Sequence, residues 1–133
     1  MVYVATPPRL GFAGSTGVIR AAFRRHGATA FGRPVRISGP TDRAFDPAIG
    51  ADRHGDVVVA WTTRRSAEIG RPGVTRLFSA TGHDGSYEHP RRVSARGENV
   101  RGGGPPILAV NANGAAILVW YRGHLIRAAR LTG

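Results

Sequence analysis

The side chains here that could grip or transform a ligand are arginines, carboxylates and large aromatic rings. All 19 basic residues are arginine and none is lysine. A guanidinium fork holds carboxylate or phosphate through paired N–H donors. Arg20, Arg76 and Arg127 recur beside Val18, Val74 and Leu125 in three similar segments. A row of arginines facing an anion is one reading. The other, which we take, is an arginine whose stem covers a neighbouring layer while its head reaches water or a turn carboxylate. The eight acids, Asp42, Asp46, Asp52, Asp56, Glu68, Asp84, Glu88 and Glu98, mostly fall in turn-like stretches, where Asp serves local hydrogen bonding. Glycoside hydrolysis needs two such groups converging across one bond, and turn acids argue against that. The five histidines, His26, His54, His83, His89 and His124, show neither the i, i+4 spacing nor the clustering of a zinc site, so no metal is expected. With no cysteine, a thiolate nucleophile and a disulfide are both excluded. The run Gly102–Pro106 opens no helix and is no phosphate loop; no cofactor and no catalytic residue is assigned.

The elements that would position these groups come from an internal repeat. "PAIGADRHGDVVVAW" (Pro47 to Trp61) returns as "PILAVNANGAAILVW" (Pro106 to Trp120), 59 residues on, with proline, Asp/Asn-x-x-Gly turn and closing tryptophan in place. "VIRAAFRRHGATAFGRPVRIS" (Val18 to Ser38) lies on "VTRLFSATGHDGSYEHPRRVS" (Val74 to Ser94) at an offset of 56, and "LIRAAR" (Leu125 to Arg130) repeats its start. Short Val- and Ile-rich runs between Gly, Asn and Asp turns, without a 3.6-residue period, are strands. Four per unit are expected: a (48–52, 107–111), b (56–63, 115–122), c (18–24, 74–80, 125–131) and d (31–37, 87–93). Strand b is apolar on both faces, so it is expected between two layers, with Trp61 and Trp120 packing layer on layer rather than stacking on sugar. Three hairpin links and one longer crossover per four strands is the connectivity of propeller blades. The expected fold class is all-β, a partial β-propeller of about two and a half four-stranded antiparallel blades: residues 1–38, 47–94 and 106–132 of a single repeat domain.

Hydrophobic residues make up 41% of the chain, enough for a core at this length. A net charge of +11 can draw a protein to anionic partners. The arginines, however, are scattered from Arg9 to Arg130 in runs of at most two, and an arginine-only, Gly- and Ala-rich composition is what GC-rich codon usage produces. Nucleic acid is therefore the lesser expectation, since such binding needs a clustered patch. No stretch reaches the ~18 apolar residues of a membrane span, and no signal peptide is legible at the N-terminus.

"SATGHDGSYEHPRRVS" (Ser79 to Ser94) and "RRHGATAFGRPVRIS" (Arg24 to Ser38) resemble eroded Asp-boxes of the sialidase-like propellers, the bacterial neuraminidase repeat proteins. That motif, Ser-x-Asp-x-Gly-x-x-Trp, sits on the c–d hairpin and precedes a proline and a short strand. Here Tyr87 and Phe31 stand for the tryptophan, Asp84 is displaced toward the glycine, and the first copy has no turn acid. The family's arginine-isoleucine-proline signature is absent. The resemblance implies a non-catalytic module for binding or scaffolding, with carbohydrate as the ligand class, secreted or on the cell surface. The alternatives are a catalytically incomplete fragment of an exo-sialidase-type glycoside hydrolase and a basic nucleic-acid-binding domain. Ligand contacts are expected where the b–c and d–a connections converge, at Arg43, Asp46, Arg64, Arg65, Arg101 and Arg122. Partial end blades leave faces and edges open, so the partners expected are missing blades or other copies of the chain.

Overall fold

The structure, a computed structural model, describes residues 2–5, 17–25, 27–39, 43–64, 73–100 and 104–131. They form eleven strands and no helix, in three antiparallel sheets. The first holds β1 (Val2–Ala5), β2 (Val18–Ala21) and β3 (Val35–Arg36). The middle holds β4 (Ala44–Ala51), β5 (Val57–Arg64) and β6 (Thr75–His83), with the short β7 (Ser86–Tyr87) and β8 (Arg91–Arg92) both on β6. The last holds β9 (Ile107–Val110), β10 (Ala116–Arg122) and β11 (Leu125–Leu131). Within each sheet the strands follow chain order, and none of the sheets closes on itself among the described residues.

Turn chemistry sets this order. Asp52 Oδ1 accepts the backbone N–H of His54 at 2.8 Å and of Asp56 at 2.9 Å, and Asn111 Oδ1 accepts those of Asn113 and Ala115 at 3.0 Å each. A short side-chain acceptor thus closes both a–b turns. Gly55 and Gly114 take φ of 89° and 81° there, a region costly to other residues. At the β6–β7 turn Asp84 and Gly85 both have positive φ, 48° and 84°, as a two-residue hairpin of the right twist requires. Asp84 serves that turn rather than the Asp-box position.

Two apolar layers separate the three sheets. Ile19, Ala21 and Ile37 of the first sheet and its flank meet Val57, Val59 and Trp61 of β5 and Ala80 of β6. On the other face Ala60 and Leu77 meet Leu118 and Trp120 of β10, with Val100 beside them. β5 is therefore sandwiched, as its two apolar faces require, and seven of its eight residues are buried. Trp61 is fully buried and stacks on Phe78, ring centroids 6.3 Å apart.

Three sequence expectations need correction. The outer strand d is not continuous: Phe31–Ile37 contributes only Val35–Arg36, and Tyr87–Val93 is broken around Pro90, which has no N–H to give a ladder. Strand a of the middle unit starts earlier, at Ala44, and carries a bulge between Phe45 and Ala48. Arg20 and Arg127 share one position, but Arg76 does not. Arg20 stands opposite Tyr3, Arg76 opposite Thr63 and Arg127 opposite Trp120, while Phe78 is the residue opposite Trp61. The serine caps agree: Ser38 Oγ accepts from Ile19 N–H and Ser94 Oγ from Leu77 N–H, pairing Ile19 with Leu77 instead of Thr75. The gapless offset misplaced strand c by two residues, a shift that keeps the same faces inward.

Candidate functional site

Of the six expected contact residues, three come together at one end of the middle sheet. Arg43 O accepts the Arg64 N–H at 2.9 Å where β4 and β5 begin to pair. Asp46 is the bulged residue, held at φ 50°. Bulges re-aim a side chain; here burial pushes the Asp46 carboxyl above its ordinary value, and the nearby Arg64 charge only partly opposes this. The Arg64 guanidinium lies 5.5 Å from the Phe45 ring centre, an exposed cation–π contact. Arg122 ends β10, exposed, on a different sheet. Arg65 and Arg101 lie outside the described residues. No ion pair between described residues joins any of these side chains.

A wider cleft lies elsewhere, at the end of the Asp52 and Asn111 turns. About 650 Å³ opens between the middle and last sheets, bordered by Asp52, Asp56, His83, Tyr87, Glu88 and Asn113. The β5–β6 register continues past Val57–Gly82 to set Asp56 opposite His83, and His83 Nδ1 lies 2.5 Å from Asp56 Oδ1. Asp84 flanks the other ring nitrogen at 3.7 Å. The hydrogen bond to Asp56, then the charges of Asp56 and Asp84, raise the His83 pKa above the usual value. Desolvation pushes Asp52 up more than any other single influence, but the N–H groups of its turn together with the His54 charge outweigh it and hold its carboxyl below the usual range.

Tyr87 supplies the cleft's ring. It lies across Gly82, where a Cβ would come within 2.5 Å of ring carbon Cδ1, so glycine is what admits the aromatic. Partial burial raises the Tyr87 pKa. Each acid that borders the cleft already has a protein partner: Asp52 its turn, Asp56 the histidine, and Glu88 the Thr81 hydroxyl, which donates at 2.8 Å. No group of three potential metal ligands occurs among the described residues.

Sequence reasoning left His83, Asp56 and Glu88 as turn residues. The signal that would have joined the first two is the Trp61–Phe78 pairing, which counts directly to Asp56 and His83. Glu98, also read as a turn acid, is buried: Oε1 accepts Trp120 Nε1–H at 3.2 Å and Oε2 accepts Ala95 N–H at 2.8 Å. It ties the d–a connection to the next sheet. Trp61 Nε1, by contrast, is buried without a partner. No family model, curated protein or solved structure matches the chain.

Proposed function

We propose that this chain is a run of blade-like sheets of the sialidase-like propeller kind, acting as a non-catalytic module that binds carbohydrate. The observation that carries the reading is the cleft between the middle and last sheets. A half-buried aromatic face, Tyr87, is surrounded by hydrogen-bonding side chains of Asp52, Asp56, His83, Glu88 and Asn113. An apolar ring face with a few polar groups at its border is what sugar recognition asks of a site. The repeated sheet order, the paired Asx-closed turns and the inward tryptophan at the fifth residue of both β5 and β10 support the blade reading. The non-catalytic half rests on the cleft's acids being committed to protein partners. An acid-lined cleft in a chain of net charge +11 also gives an anionic polymer no welcome there.

A glycan array followed by calorimetry on the hits is the test. Retention of a glycan, abolished by Tyr87→Ala but not by Arg64→Ala, is expected, with no turnover of a fluorogenic sialoside. Loss in Arg64→Ala alone would move the site to the Arg43, Asp46 and Arg64 end. Sialoside turnover that disappears on removing one acid would overturn the non-catalytic reading, and silence across the array would overturn the carbohydrate.

A further inference from the structure

We propose that the outward face of the last sheet, formed by β9, β10 and β11, is a docking surface for the same face of a second copy of this chain, giving a two-fold dimer. The ladder places Ile117, Val119 and Tyr121 of β10 on the side opposite Leu118 and Trp120, flanked by Ile107 of β9 and Ile126 of β11. Ile107, Ile117 and Ile126 are 65%, 54% and 67% exposed. Cross-strand pairing of Val119 with Ile107 and of Tyr121 with Ile126 makes them one contiguous patch, not scattered residues. The 59-residue repeat maps Ile117 and Tyr121 onto Val58 and Thr62 of β5. Those two are only 7% and 3% exposed, and they lie on the face of β5 from which Ala60 packs against Leu118 and Trp120 of the last sheet. This face of the repeat is built to stack on an apolar sheet, and the molecule already contains one such interface.

Charge selects the second copy's matching face as the occupant. The chain's other end sheet sets Arg20 opposite Arg36 on the side away from Ile19 and Ala21. Stacked head to tail, that side would meet isoleucine, valine and Arg130 with no carboxylate on the facing strands, leaving buried charge unpaired. Face to face about a two-fold axis, the isoleucines meet one another. Arg130 stands opposite Ile117 on the edge strand, where its long stem can carry the charged head past the sheet edge to water. Two-fold closure also ends the assembly at two copies, where head-to-tail contact would continue. The inference stands on register and exposure and does not depend on the carbohydrate reading: its site is on the opposite side of β10 from the cleft.

Sedimentation velocity across a wide concentration range tests it, with circular dichroism as the check on folding. The wild-type chain should be dimeric and should dissociate at least ten-fold more readily as Ile117→Glu or Ile126→Glu, both exposed positions in the free sheet, while Arg20→Glu leaves the dimer intact. Added salt should strengthen association by screening the repulsion of two +11 chains. A monomer at every concentration, open-ended growth, or a dimer sensitive to Arg20→Glu and indifferent to both isoleucine variants would each overturn the proposal.

Discussion

β5 and β10 are copies of one strand, but the chain gives them different surroundings. β5 has sheets on both sides and buries all but its last residue; β10 has one neighbour and alternates buried with exposed along its inner half. The same apolar pattern is therefore core in one place and surface in the other. Burial is a property of the stack, and a strand's sequence states only which faces would accept a neighbour.

The tryptophans sharpen this comparison most. Trp61→Ala and Trp120→Ala should each destabilise the fold by about 3–5 kcal/mol, measured by denaturant unfolding, because both rings fill a layer between sheets. Wild-type stability in either, with lost glycan retention, would make that ring a ligand platform instead. The next effect separates the two rings. Glu98→Ala leaves the Trp120 indole N–H and the Ala95 N–H without acceptors, a loss of about 1–3 kcal/mol, whereas Glu98→Gln keeps one acceptor oxygen but turns its NH2 toward the other N–H, so it should recover only part of that loss. A wild-type stability in Glu98→Ala would mean that these hydrogen bonds do not hold the tie.

The approach of β4 to β9 gives a third, similar test. A Cβ at Gly50 would overlap the Val110 side chain, so Gly50→Ala should cost about 1–3 kcal/mol through overpacking. Gly50→Ala with Val110→Ala should recover part of it. Independent, additive losses would show that the sheets do not touch there.

The smallest effect is pH-dependent. A raised His83 pKa means that the folded state favours the charged ring. The pair with Asp56 therefore adds stability below the ordinary histidine value of about 6.5 and loses it as pH rises through the raised folded value. Thermal midpoints of wild type and His83→Gln should differ on the acid side and converge on the alkaline side. A gap that widens with rising pH would refute the assignment.

The repeat makes the sheets readable in the sequence itself. Val57, Val59 and Trp61 alternating with Val58 and Ala60 require two covering layers, and the Asp52 and Asn111 turns announce the hairpins that order the strands. Less legible was strand c, because Val18/Val74 and Arg20/Arg76 align without a gap although the ladder pairs Ile19 with Leu77. Side-chain identity could not reveal a slip of two that preserves inside and outside. The cleft was harder still. Asp56 and His83 are 27 residues apart in sequence and meet only through the β5–β6 register, and Tyr87 enters the cleft because Gly82 leaves room for it.

Chain-order pairing in each sheet has a consequence for how the molecule opens. With the described sheets packed on their neighbours in line, stability is close to a sum of sheet energies and two junctions. Such a row frays from its ends. Amide protons of β5, locked by both junctions, should exchange with deuterium last. Those of β9 to β11 should exchange through a partial opening that breaks one junction and leaves the other two sheets standing.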